Sequence, residues 1–160
     1  MNKIPFVTTI IPYKDNPKYI LPALKSIYKQ TYKKIKIIII YDDKDKKDLI
    51  KIKNFLKIAN KKRKISIKIY VNKNSLGAGF SRNIGIKKSS SKYIAFLDSD
   101  DLWSKNKLKT QINFMEKNRH VFSHSSYFII NDHNKIISKR DAQSIITFRK
   151  LIKSCDIGLS

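Results

Sequence analysis

Apolar positions follow two alternating rhythms along this chain. Residues 6–11 and 35–40 are mostly β-branched, largely apolar runs of strand length, broken only by Thr8, Thr9 and Lys36, the pattern of parallel strands buried on both faces. Ile65, Ile67, Ile69 and Val71 alternate with polar or aromatic residues, and residues 93–97 supply a fourth strand. Helical spacing fills the intervals. Ile20, Leu24, Ile27 and Thr31 share one face, Leu49, Ile52, Leu56 and Ala59 share another, and a shorter helical piece surrounds Ile84. Pro17 and Pro22 fit the opening turns of the first helix, where a missing N–H is tolerated. The alternation βαβαβαβ predicts an α/β domain, Rossmann-like, with a mostly parallel sheet flanked by helices and joined by right-handed crossovers.

Beyond the fourth strand, Leu108, Ile112 and Met115 predict a helix over 105–117. Residues 121–130 read as strand, and Asp132-His133-Asn134 is a turn signal between 127–130 and 136–137, which predicts a hairpin. A weak helical pattern covers 144–154. With no internal repeat and no Pro- or Gly-rich linker, residues 1–160 are expected to form a single domain.

Composition narrows the partners. A hydrophobic fraction of 41% supports a real core, and the formal charge of +23 would ordinarily suggest nucleic acid or an anionic surface. Only Arg63, Arg82, Arg119, Arg140 and Arg149 are arginines, however, and the lysines are scattered among abundant Ile and Asn. That distribution reads as biased residue usage, and without arginine forks or interleaved aromatics nucleic acid is not the expected main partner. A catalytically inactive basic module for nucleic acid or anionic membrane is kept as the alternative class. The single cysteine, Cys155, excludes an intrachain disulfide and a cysteine-based zinc site, in keeping with a cytoplasmic setting. The N-terminal apolar run is too short for a signal peptide and no stretch approaches about 18 apolar residues. His120, His124 and His133 have no metal-ligand spacing.

The polar clusters follow the strands, where open parallel sheets place their ligands. Pro12-Tyr13-Lys14-Asp15 follows the first, Asp42-Asp43 the second, residues 72–79 the third, and Asp98-Ser99-Asp100-Asp101 the fourth. Three carboxylates within four positions repel one another unless a cation or hydrogen-bond donors compensate them, and hard oxygen ligands suit Mg²⁺ or Mn²⁺. Helix capping by Asp100 or Asp101 is the competing reading. Asp42-Asp43 is placed to accept hydrogen bonds from a base edge or a ribose, and the turn before Ser81-Arg82-Asn83 leads into a helix start suited to phosphate. No Gly-Lys-Ser/Thr and no Gly-x-Gly-x-x-Gly is present, which disfavours P-loop and dinucleotide-binding classes. A nucleotidyltransferase would need a Gly-rich loop after the first strand, and residues 12–15 contain no glycine.

The stretches VTTIIPYKD, ALKSIYKQTYKKIKIIIIYDD, NKNSLGAGFSRNIGI and YIAFLDSDDLWSKNKLKTQINFM together resemble the family 2 glycosyltransferases, inverting enzymes of the GT-A nucleotide-diphospho-sugar transferase fold. The last stretch, with its Asp98-Ser99-Asp100 DXD motif, is the most specific. The resemblance implies a nucleoside-diphosphate sugar donor, most often a UDP-sugar, held by Pro12, Tyr13, Asp42, Asp43, Arg82 and Asp98, with Asp43 at the base. It implies Mn²⁺ or Mg²⁺ on Asp98 and Asp100, Asp98 near the ribose or metal and Asp100 as the direct ligand. It also implies a glycan or lipid-linked acceptor, a role in bacterial cell-surface polysaccharide or lipopolysaccharide synthesis, and a cytoplasmic site with peripheral contact to the inner face of an anionic membrane. Lys14 stands where the family usually has Asn, and Lys44-Asp45 where it usually has Gly-Ser, which bears on donor identity. The family's general base falls beyond Ser160, and Asp132, Asp141 and Asp156 match no such role. The chain is therefore expected to be a truncated donor-binding half, with the acceptor part largely absent.

Overall fold

The computed structural model describes residues 4–143 together with 147 and 149. The elements run β1 (Val7–Tyr13), α1 (Ile20–Tyr28), β2 (Ile35–Tyr41), α2 (Lys47–Lys62), β3 (Ser66–Val71), α3 (Ala78–Lys88), β4 (Tyr93–Phe96), α4 (Lys107–Asn118), β5 (Tyr127–Ile130) and β6 (Ile136–Arg140). The first four strands form one wholly parallel sheet in the order β3-β2-β1-β4. Ile10 lies opposite Ile38 on one side and Phe96 on the other.

This order explains the two hydrophobic rhythms. β1 and β2 are central, and all their residues but the half-buried Lys36 are buried, so both faces must be apolar. β3 and β4 are edges and bury less: Ile67 and Ile69 are only half-buried and Val71 is exposed. The chain runs one way through β1, β2 and β3, with α1 and α2 packed against each other, and then reverses to β4, with α3 lying across β1 and β2; the right-handed rule for such crossovers puts α3 on the face opposite α1 and α2. There Ile10, Ile38 and Ile40 pack with Tyr70, Ile84 and Phe96, each fully buried isoleucine contributing about 1.5–3 kcal/mol. α3 approaches β1 so closely that a Cβ on Gly85 would lie 2.5 Å from Ile10 Cγ2.

α1 ends earlier than its spacing predicts, at Tyr28. Arg63 caps the end of the helix and the segment after it, donating from Nη1 to Tyr28 O (2.7 Å), the last carbonyl of α1, and to Gln30 O (2.9 Å), and from Nη2 to Tyr32 O (2.6 Å). Thr31 therefore lies past the helix, its N–H donating to Lys105 O at 3.0 Å.

The chain divides into two compact units, one ending at Lys109 and one beginning at Thr110. In the second, β5 and β6 form the predicted antiparallel hairpin, with an irregularity at Ile129/Ile130 and Asn134 at φ 60° in its turn. The strand expected over 121–130 is confined to Tyr127–Ile130, because β6 offers a ladder partner only there. Leu108, Ile112 and Met115 are buried as their spacing predicts. Most of the weak helical pattern at 144–154, along with Cys155 and Asp156, lies outside the described residues.

Candidate functional site

The carboxyl ends of β1, β2 and β4 and the first turn of α3 surround a cleft of about 230 Å³. Pro12, Tyr13, Lys14 and Asn16 line it from β1, Asp42 from β2, Ala78, Ser81 and Arg82 from α3, and Asp98, Ser99 and Asp100 from β4. Of the donor residues implied by the resemblance, the cleft brings together Pro12, Tyr13, Asp42, Arg82 and Asp98, with Asp100 beside them. Asp43 does not line it.

The two aspartates after β2 do different work. Asp42 is 2% exposed and accepts hydrogen bonds from Leu76 N–H (2.9 Å), Gly77 N–H (2.7 Å), Asn72 Nδ2 (2.6 Å) and the Ser75 hydroxyl (3.3 Å). Burial pushes its carboxyl up, yet these donors together outweigh burial and hold it below the ordinary carboxylate value. Asp42 thus shapes the β3–α3 turn, where Gly77 adopts φ 85° and sets the start of α3. Asp43 accepts from Asp15 N–H (2.9 Å) and Asp45 N–H (3.1 Å) and so ties the β1 and β2 loops together. Asp15, at φ 41°, presents its N–H in the left-handed region.

Tyr13 is fully buried, stacked on Tyr41 at 4.9 Å between ring centroids. Its hydroxyl donates to Asp48 at 2.6 Å, in the first turn of α2. Burial first, then this bond, pushes its pKa well above the usual tyrosine range, and the same bond leads the causes that hold Asp48 low. Tyr13 therefore presents no free hydroxyl to the cleft.

At the β4 end, Leu97 N–H donates to Ile10 O at 3.1 Å and Leu97 is fully buried, so the acidic segment leaves the sheet from a fixed point. Asp101 N–H turns back to Asp98 O at 3.1 Å. Arg82 Nη2 pairs with Asp98 Oδ1 at 2.5 Å, while the buried Arg82 Nε has no partner. Asn16 Nδ2 donates to Ser99 Oγ at 3.2 Å, and Asp100 is exposed. The following segment is pinned from α1: Ser26 Oγ accepts from Trp103 N–H (3.2 Å), and the Gln30 amide donates to Ser104 O (2.7 Å) while accepting from Leu108 N–H (3.1 Å).

Among the described residues no group of three or more His, Cys, Asp or Glu is placed to hold a metal. Asp98 and Asp100 supply hard oxygens on a polar cleft, which fits an ion that keeps waters and substrate phosphates in its shell, as Mg²⁺ and Mn²⁺ do, and not a closed zinc site. Sequence reading missed Gln30, Ser26 and Asp48, which carry no chemistry of their own. The only signal for Gln30 and Ser26 is a polar residue at or just beyond a helical face that should be apolar.

The profile of the family Glycosyl transferase family 2 matches residues 8–159. The chain is 37% identical over 152 residues to the UDP-Glc:alpha-D-GlcNAc-diphosphoundecaprenol beta-1,3-glucosyltransferase WfgD of Escherichia coli, covering 95% of this chain and 57% of that protein. It is 37% identical over 155 residues to an uncharacterized glycosyltransferase of Rickettsia bellii, covering 96% of this chain and 21% of that one. The chain thus spans less than two thirds of the length of these relatives. Among solved structures, the mannosyltransferase PcManGT of Pyrobaculum calidifontis, in complex with GDP-Man and Mn²⁺, superposes with TM-score 0.66 at 14% identity, over 83% of this chain and 38% of that one. S. aureus TarS 1–349 in complex with UDP gives 0.62 at 24%, over 71% and 33%. These likenesses fix the fold as the GT-A arrangement expected of the sequence. Because the family match runs through every strand end that lines the cleft, this chain belongs to glycosyl transferase family 2.

Proposed function

We propose that the cleft holds a nucleoside-diphosphate sugar, a UDP-sugar first, and that the chain is the donor-binding part of a transferase that passes the sugar to an acceptor hydroxyl with inversion. The observation that carries this reading is the Arg82–Asp98 pair in a polar cleft at the carboxyl end of a parallel sheet. A guanidinium carried one turn into a helix, near its N-terminal end, adds its charge to the helix dipole, which suits a diphosphate. Asp98 and Asp100 are the residues to hold Mn²⁺ or Mg²⁺, which supplies neutralisation of the departing diphosphate when bound. Arg82 exchanges Asp98 for phosphate oxygens on donor binding, Tyr13 forms a rigid wall against the nucleoside, and Asp43 orders the loops beside the base. Inversion follows from a single displacement, with the acceptor hydroxyl entering opposite the leaving diphosphate and its proton passing to a base that none of these residues supplies.

The Escherichia coli relative is named for a diphosphoundecaprenol-linked acceptor, which favours a lipid-linked acceptor here, polysaccharide assembly as the setting, and a reaction at the inner face of the plasma membrane. Calorimetric titration with UDP-glucose and UDP-GlcNAc, with and without Mn²⁺, tests the reading. Metal-strengthened binding is expected. A folded protein that binds no nucleoside diphosphate in the presence of metal would falsify it.

A further inference from the structure

Lysine is spread over the whole chain, but its acids are not. Between Asp48 and Asp98 there is no acidic residue, while thirteen lysines and arginines fall in that interval. Uniform lysine bias does not produce such a gap, and the longest element that runs into it is α2, all but its first two residues.

The inner face of α2 is apolar, with Leu49, Ile52 and Leu56 buried. Its outer face carries Ile50, 62% exposed, and Ile58, 65% exposed, among the exposed Lys47, Lys51, Lys57 and Lys61. At about 100° per residue these six positions fall within about a third of the helix circumference, and the two isoleucines stand about 12 Å apart along the axis. Asp48, the only acid of the helix, is turned toward Tyr13 and pairs with Lys51, and Lys47 pairs with Asp45 outside the helix. Lys57 and Lys61 have no carboxylate within ion-pair distance among the described residues, so net positive charge gathers around Ile58.

We infer that the outer face of α2 docks on an anionic lipid surface, with Ile50 and Ile58 entering the headgroup boundary and the lysines reaching the phosphates. Apolar side chains flanked by flexible cationic ones match that boundary: lysine stems lie along apolar surface while their ammonium groups stay hydrated beside lipid phosphate. Each lysine near an anionic leaflet adds attraction that fades within a Debye length, whereas the isoleucines act only on contact. Nucleic acid would satisfy the lysines but leave both isoleucines in water. The inference rests on the lipid-linked acceptor proposed above, since docking brings the cleft to a substrate that stays in the membrane.

The test is sedimentation of the full chain with vesicles of phosphatidylglycerol and, separately, of phosphatidylcholine, beside a UDP titration of the same protein with Mn²⁺. Wild-type protein is expected to pellet with phosphatidylglycerol only. The double variant Ile50→Ser/Ile58→Ser keeps every lysine and spares the core, and should lower the partition coefficient about tenfold with an unchanged thermal midpoint. Unchanged partition of that variant overturns the proposal, because the attraction is then diffuse charge. Equal pelleting with phosphatidylcholine, or tighter binding to duplex DNA than to phosphatidylglycerol at the same salt, overturns it too. Isoleucine-dependent vesicle binding without UDP binding removes the functional reading and leaves the surface standing, and UDP binding with unchanged partition does the reverse.

Discussion

Arg82 Nη2 and Asp98 Oδ1 lie 2.5 Å apart and join the second turn of α3 to the end of β4 across the cleft. Neither side chain is fully withdrawn from solvent, at 17% and 31% exposed, so the pair is preformed yet open to exchange. Replacing Arg82 by Ala should weaken UDP binding by about 10- to 100-fold, the loss of a charged hydrogen bond of roughly 1.5–3 kcal/mol. Calorimetry at fixed Mn²⁺ measures it.

Asp100 is exposed and lines the cleft without a structural partner on the scale of those that hold Asp42. Asp100→Ala should therefore remove the Mn²⁺-dependent increment of UDP affinity and leave the thermal midpoint within about 1 °C, since isolated surface changes usually stay within about 0.5 kcal/mol. A fall in stability with metal dependence intact would show Asp100 to be a helix-capping residue instead.

Asp42→Ala removes the buried acceptor shared by the N–H groups of Leu76 and Gly77 and the Asn72 amide, in a turn whose own residues 73–77 are exposed. It should cost about 1.5–3 kcal/mol, read as a shift in urea midpoint. Its carboxyl is held low in the folded state, so its stabilisation is fully present above the unfolded carboxylate value of about 3.9 and is lost as pH falls through the lower folded value. Urea midpoints below pH 4 should drop more steeply for wild type than for Asp42→Asn.

Gln30 is 1% exposed and bridges α1 to the segment after the acidic motif through Ser104 O and Leu108 N–H. Gln30→Leu should cost about 2–4 kcal/mol, because both backbone groups lose their partner. It should also weaken metal-dependent UDP binding, and the two effects separate if titrations are run well below the melting range.

Gly85 and Ile10 set the spacing of α3 on the sheet. Gly85→Ala places a Cβ 2.5 Å from Ile10 Cγ2 and should cost about 1–3 kcal/mol from overpacking, despite the better helix propensity of Ala. In an Ile10→Ala background that penalty should vanish, which a double-mutant cycle in urea would reveal.

Much of this molecule could be read from the chain. Largely apolar, β-branched runs at β1 and β2 predict central strands because both faces of a parallel sheet are covered, and the acidic segment at residues 98–101 stands out because carboxylates at a sheet end require compensation. Element ends were less legible. α1 stops at Tyr28, where Arg63, 35 residues later, takes its last carbonyl, and the strand before the hairpin is short because β6 meets only four of its residues.

The sequence by itself determined the parallel α/β fold, the family, and the positions where polar chemistry gathers, since periodicity and strand ends are local properties of the chain. Only the tertiary structure decided how the carboxylates divide their work. Asp42 and Asp43 are adjacent and identical in type, but one is buried against the turn before α3 while the other ties two loops, because donors from residues about 30 positions away reach different oxygens. Whether a carboxylate shapes a loop or faces a ligand depends on which partners the fold brings to it, and that information is not carried by its neighbours in the chain.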